Sequence, residues 1–180
     1  PLLEALEGAG CQLNVEPDQI RIRREGPIHP VSVETEPHPG FPTDMQAQWM
    51  AFMLCSSGSS IITENIFENR FMHVAELTRM GAEVELSGNQ ARITGVEKLH
   101  GAAVMATDLR ASASLVLAGL AATGQTEVLR IYHLDRGYEH LHLKLLGLGA
   151  RIARVSDHLK LPVGGPWPGE DEANRNEATA

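Results

Sequence analysis

The feature that most constrains this chain is an internal repeat. Three segments follow one grammar: an amphipathic helix ends at a glycine, and a strand, a polar turn and a second strand follow. The first runs from Leu2 to Ile22 around Gly10, with strands predicted at 12–15 and 19–22. The second starts near Met72, contains Gly81, and continues through predicted strands at 83–86 and 90–93 joined by Ser87-Gly88-Asn89. The third starts near Leu141, contains Gly149, and is expected to continue as strands at 152–155 and 158–161. The glycines stand 71 and 68 residues apart. Each fits a helix C-cap, where a left-handed backbone costs glycine little. Ser-Gly-Asn is turn chemistry, and period-two alternation on either side of it predicts half-buried hairpins.

A second kind of element lies between these segments. Thr43-Asp44 opens a predicted helix over 45–56, and Thr107-Asp108 opens another over 109–122. Thr is an N-cap residue type, and a carboxylate in the first turn suits the helix dipole. Trp49, Met50, Phe52, Met53 and Leu54 in one, and Leu115, Val116, Leu117 and Leu120 in the other, leave almost no polar face, so both helices are expected to be buried all round. After each comes a glycine, Gly58 or Gly124, then a strand, then an arginine 12 residues on, Arg70 or Arg136. The aspartates repeat at 64 residues and the arginines at 66. Each unit thus reads as strand, buried helix, strand, amphipathic helix and strand pair, and the fold class is α/β.

Composition bounds the alternatives. Aromatic residues make up 4% of the chain, so Leu, Val, Ile, Met and Ala must fill the core. A net charge of -8 argues against a nucleic-acid partner, which usually meets a basic surface. Part of that charge sits in the last fifteen residues, where Glu170, Asp171, Glu172 and Glu177 outweigh Arg175. The segment 164–180 has little apolar content beyond Trp167 and is expected to be a disordered acidic tail. No apolar run approaches the roughly 20 residues that span a bilayer. Cys11 and Cys55 match no zinc or redox spacing and are expected to be buried thiols. The chain opens at Pro1 without Met and reads as a fragment of something longer, so an upstream targeting segment stays open.

Several residues could carry chemistry. Asp44 follows Pro37-His38-Pro39-Gly40-Phe41-Pro42, a loop stiffened by three prolines that fixes where its carboxylate points. The plainer alternative for Asp44, as for Asp108, is a helix cap. Arg70 and Arg136 each stand after a strand, where a guanidinium can grip phosphate or carboxylate bidentately or simply form a structural ion pair. Arg110 either adds to such a site or serves its own helix. His140 and His142 stand two apart, which puts their rings on different faces of a helix, so no metal is expected. No phosphate-binding glycine loop of the P-loop or dinucleotide type is present, and no cofactor is expected.

Longer strings then match a known family. Pro39-Gly40-Phe41-Pro42-Thr43-Asp44-Met45-Gln46-Ala47-Gln48, Glu68-Asn69-Arg70-Phe71-Met72-His73-Val74, Ala106-Thr107-Asp108-Leu109-Arg110-Ala111-Ser112-Ala113 and Asp135-Arg136-Gly137-Tyr138-Glu139 closely resemble the enolpyruvyl transferases, in particular the UDP-N-acetylglucosamine 1-carboxyvinyltransferases. The resemblance runs from about Pro1 to Val163. It implies an inside-out α/β barrel of repeated units with the helices inside. Residues 1–163 would be part of one such domain: the end of one unit plus two full units.

The resemblance also implies an activity. The enolpyruvyl group of phosphoenolpyruvate would pass to the 3-hydroxyl of UDP-N-acetylglucosamine with release of phosphate, the first committed step of peptidoglycan and cell-wall synthesis, in the cytoplasm. By motif, Asp44 would accept the hydroxyl proton. Ile66 would touch the nucleotide sugar through its backbone. Arg70 and Arg136 would bind the charged groups of phosphoenolpyruvate, with Arg110 as an addition. Asp108 would support proton transfer. A second, N-terminal domain of the same enzyme would supply a Lys-Asn pair, further arginines and a cysteine loop, so this chain alone is expected to be inactive. Two other readings stay open: a transferase acting on shikimate 3-phosphate, and a non-catalytic module that binds nucleotide sugar.

Overall fold

A computed structural model describes residues 1–155. They fall into two compact units, Pro1–Gly137 and a second from Tyr138 onward. In the first unit, α1 (Leu2–Gly8) runs through Gly10, at φ +92°, into a hairpin of β1 (Cys11–Val15) and β2 (Ile20–Arg24) that sets Leu13 opposite Ile22. Next, β3 (Val33–Glu34) pairs in parallel with β4 (Ser59–Thr63). A parallel pair needs a crossover, supplied here by a 3₁₀ turn at Thr43–Met45 and α2 (Gln46–Met53). Then come α3 (Val74–Arg79), Gly81 at φ +90°, and the antiparallel pair β5 (Glu83–Ser87) and β6 (Gln90–Thr94). Gly88, at φ +59°, takes the first place of the two-residue turn, as a type II′ hairpin requires. These strands form one sheet in the order β3-β4-β6-β5.

The grammar then restarts. Strands β7 (Leu99–His100) and β8 (Ala103–Met105) lead into α4 (Leu109–Ala121), and β9 (Ala122–Thr123) and β10 (Glu127–Leu129) follow it. Both pairings, β7 with β9 and β8 with β10, are parallel. The short helix α5 (Tyr132–Asp135) closes this unit. The second unit contains α6 (Leu141–Gly147), after which Gly149 stands at φ +87°. All three repeat glycines therefore adopt the left-handed backbone that their spacing predicts.

The core forms around α2 and α4, which pack on each other. Seven of the eight α2 residues are buried, so this helix is enclosed on every side as expected. Met50, Met53 and Leu54 join Leu115 of α4, Ile62 of β4, Ile93 of β6 and Leu77 of α3, all fully buried. Each such side chain contributes about 1.5–3 kcal/mol through removal from water.

Four expectations are corrected by the structure. Helix α4 is not enclosed: Leu117 and Leu120, three residues apart on one face, are each 41% exposed while Leu115 and Val116 pack inward. The hairpin β1–β2 is not half-buried, because Val15, Ile20 and Ile22 all face solvent on a ribbon that, among the described residues, has two strands. Cys55 is exposed, since it lies past the last turn of α2 where the chain turns outward; Cys11 is buried. Residues 152–155 form no strand. Their expected partner at 158–161 and the acidic tail at 164–180 lie outside the described residues.

Candidate functional site

The two Thr-Asp helix starts behave differently. Asp108 is a true N-cap. Its backbone is extended, and its Oδ1 accepts from the Arg110 and Ala111 N–H groups at 2.8 and 2.9 Å. These are donors that the first turn of α4 would otherwise leave unpaired. Asp44 caps nothing. It lies inside the 3₁₀ turn, and neither that turn nor α2 has a side-chain cap bond. Its Oδ1 accepts from Arg70 Nη2 at 3.2 Å and its Oδ2 from Arg110 Nη2 at 2.5 Å. The carboxylate remains 53% exposed, so it is held from one side and accessible from the other.

The loop before Asp44 is anchored. Gly40 passes so close to Glu36 that a Cβ there would lie 2.3 Å from the Glu36 Cβ. The Glu36 N–H donates to the Phe41 carbonyl at 3.1 Å. Phe41 is buried edge-on against Trp49 of α2, with ring centroids 5.7 Å apart, and Trp49 Nε1 donates to the Val31 carbonyl. The start of α2 is thereby fixed to the core through two aromatic rings.

Arg70 comes from the turn between β4 and α3, where Asn69 takes a left-handed backbone at φ +55°. Its guanidinium lies 4.9 Å from the centre of the Phe67 ring, a cation–π contact that limits its swing. Beside it opens a cavity of about 280 Å³, bounded by Phe67, Asn69, Phe71 and the Gly88-Asn89 turn. The Ile66 N–H is taken by Glu64 Oε1 at 2.9 Å, which leaves its carbonyl as the backbone group for a ligand.

The structure therefore brings Asp44, Arg70 and Arg110 together and puts Asp108 one step behind, at the root of the helix that carries Arg110. Arg136 is not a partner of Asp44. It is the C-cap of α5 and solvent-exposed, and it follows a helix rather than a strand because Arg130, at φ +58°, ends β10 early. The guanidinium that pairs with Arg70 across Asp44 is Arg110, and the 66-residue spacing of Arg70 and Arg136 did not point to it.

Two buried groups behind the site escaped the sequence reading. Glu64, 3% exposed, follows β4 directly and accepts hydrogen bonds from Thr35, Thr43, Ile66 and Phe67. The available signal was an acid immediately after an apolar strand. His73 is also buried. Burial pushes it from 6.5 down to about 4 against the pull of the Asp108 carboxylate, while the Arg70 charge adds to the lowering. The ring is thus neutral at pH 7, and its Nε2 has no hydrogen-bond partner. Among the described residues, no group of three His, Cys, Asp or Glu side chains could hold a metal ion, and no helix is long and apolar enough to cross a membrane.

Comparison with known proteins gives the geometry a context. A sequence profile described as EPSP synthase (3-phosphoshikimate 1-carboxyvinyltransferase) matches residues 2–145. A protein of Gluconobacter oxydans named UDP-N-acetylglucosamine 1-carboxyvinyltransferase is 60% identical over 156 residues, 87% of this chain and 37% of the relative. One of the same name from Rhodopseudomonas palustris is 61% identical over 155 residues, 86% of this chain and 36% of that one. Among solved structures, the enolpyruvyl transferase NikO from Streptomyces tendae aligns with TM-score 0.76 and 31% identity, over 83% of this chain and 35% of its own. The chain thus spans little more than a third of the length of the curated relatives it matches.

Proposed function

The chain belongs to the family described as EPSP synthase (3-phosphoshikimate 1-carboxyvinyltransferase), and from that premise we propose that it is part of a UDP-N-acetylglucosamine 1-carboxyvinyltransferase. The observation that carries this reading is the exposed Asp44 carboxylate gripped by Arg70 and Arg110. Two guanidinium groups on one carboxylate put cationic side chains beside an oriented base. A hydroxyl nucleophile and a phosphorylated, carboxylated donor call for that combination. Relatives at about 60% identity carry this name, which favours the amino-sugar acceptor over shikimate 3-phosphate. The retained Asp-Arg constellation favours an enzyme over a non-catalytic sugar-binding module.

Asp44 accepts the proton of the sugar 3-hydroxyl as that oxygen bonds to C2 of phosphoenolpyruvate, whose C3 takes a proton from the cysteine loop of the N-terminal domain. The adduct then loses the C3 proton and the C2–O bond to phosphate, restoring the enol double bond and releasing phosphate. Holding the hydroxyl beside Asp44 and the donor beside the arginines converts a bimolecular encounter into an oriented one. Arg70 and Arg136 hold the negative charge of phosphoenolpyruvate and its adduct, and Arg110 fixes the Asp44 carboxylate. Asp108 supports proton transfer from behind. The Ile66 carbonyl contacts the nucleotide sugar.

The architecture in this reading is the inside-out α/β barrel of repeated units, with residues 1–163 forming most of one domain and 164–180 an acidic tail. Exposed Leu117 and Leu120 on α4 and the open face of β1–β2 are the surfaces that the rest of such a barrel would cover. The opposite wall of the cleft comes from an N-terminal domain of the same enzyme, which works in the cytoplasm on a cell-wall precursor.

The test is turnover in the full-length protein. Asp44→Asn is expected to lose most phosphate release from the two substrates while still binding the nucleotide sugar. A mutant rate close to wild type would sink the base assignment. Phosphate release by these 180 residues alone would overturn the two-domain reading.

A further inference from the structure

We propose that Glu64 is a positioning residue that sets Asp44 against Arg70, a role that rests on the reading of Asp44 as the proton acceptor. Its Oε2 accepts from the Thr43 hydroxyl at 2.9 Å, and Thr43 is the residue immediately before Asp44. Its Oε1 accepts from the Thr35 hydroxyl at 2.8 Å and from the Ile66 and Phe67 N–H groups at 2.9 and 3.1 Å. The Thr35 hydroxyl in turn accepts from the Asn65 N–H at 2.9 Å. One buried carboxylate therefore joins three separate stretches of chain: the residue after β3, the first residue of the 3₁₀ turn, and the loop that carries Arg70.

The geometry couples these contacts to the site. Asp44 has no cap bond to fix it, so its place depends on the turn that Thr43 begins. Arg70 depends on Phe67, over whose ring it lies. Glu64 holds Thr43 with one oxygen and the Phe67 backbone with the other, and so spans the two supports of the 3.2 Å Asp44–Arg70 contact. The repeat supplies an internal contrast. Glu64 stands six residues after Gly58, and the residue six after Gly124 is Arg130. In that second copy there is no carboxylate at the matching position, and Asp108 turns back to cap its own helix.

Four donors meet this carboxylate, three at Oε1 and Thr43 at Oε2, so an amide of the same shape loses the charge that holds them and forces the Thr43 hydroxyl to accept from its NH₂ rather than donate. The test uses the full-length enzyme. Thr43→Val removes one hydroxyl at nearly constant volume, Thr43→Ser keeps it, and Glu64→Gln alters the hub. Expected for Thr43→Val and Glu64→Gln is a kcat loss of roughly tenfold to hundredfold, the scale of a misplacement near 1 Å. In Thr43→Val, whose side chain does not touch the Ile66 loop, the KM for nucleotide sugar and its binding stoichiometry should stay close to wild type, and Thr43→Ser should restore kcat to within about threefold. Protein lost to misfolding would lower the stoichiometry instead, and if Glu64→Gln does not fold, the Thr43 pair decides. Wild-type kcat in Thr43→Val would overturn the proposal, as would an equal loss in Thr43→Ser. Asp44→Asn run in parallel separates the two levels. If it retains turnover, the base assignment fails; if it loses turnover while Thr43→Val does not, the role of Glu64 alone fails.

Discussion

Asp108 offers the sharpest separation of a structural role from a chemical one. Its Oδ1 serves two N–H groups at the start of α4, a 13-residue helix at the centre of the core. Loss of a cap of this kind costs about 1 kcal/mol, and loss of the negative charge at the helix N-terminus a further ~0.3–1 kcal/mol. Asp108→Ala forfeits both, so it should destabilise by about 1.3–2 kcal/mol. Asp108→Asn keeps an acceptor oxygen at the cap and forfeits only the charge, so it should cost less than ~1 kcal/mol. If Asp108 also supports proton transfer, the two variants fall together in turnover though they differ in stability. Urea unfolding and steady-state phosphate release on the full-length protein read the two effects separately. Two results would refute this reasoning. An Asn variant as unstable as the Ala variant would show that the cap bonds carry little. An Asn variant with wild-type turnover would reduce Asp108 to a cap and remove it from the chemistry. The Ala variant alone cannot decide, because it also loosens the helix start that aims Arg110 at Asp44.

Two further outcomes are expected. Arg110→Met should change stability by less than ~1 kcal/mol, since its bond to Asp44 is partly exposed, yet reduce turnover well beyond any loss of folded protein; unchanged kinetics would place Arg110 outside the site. His73 should make folding pH-dependent. Its folded pKa of about 4 lies below the 6.5 of an open chain, so the unfolded state binds the extra proton between those values. Stability is then fully present above pH 6.5 and falls as the pH drops towards 4, by up to about 3 kcal/mol at 1.36 kcal/mol per pH unit. A His73→Gln variant whose unfolding midpoint loses as much as wild type between pH 7 and 4 would assign that dependence elsewhere.

The repeat glycines and the hairpin turn were legible in the sequence because each is settled by neighbouring residues. Gly10, Gly81 and Gly149 take a positive φ that other residues resist, Gly88 suits its two-residue turn, and the apolar run in α2 is enclosed as its pattern demands. Long-range geometry was not legible. Thr43-Asp44 and Thr107-Asp108 look alike as strings, yet Asp108 caps its helix through the Arg110 and Ala111 N–H groups while Asp44 spans the Arg70 and Arg110 guanidinium groups. The spacing set Arg70 and Arg136 as equivalents, whereas the guanidinium that shares Asp44 with Arg70 is that of Arg110, brought to Asp44 across 66 residues of chain by the packing of α2 against α4. Leu117 and Leu120 face outward for the same reason: sequence marks a helix as apolar, but only its neighbours decide which sides are covered. Sequence by itself determined the repeated α/β unit and the residue types at each helix start, since backbone preference and hydrophobic period act within a few residues. Tertiary structure alone decided which carboxylate is held between two guanidinium groups, because that depends on charged groups brought together from distant parts of the chain.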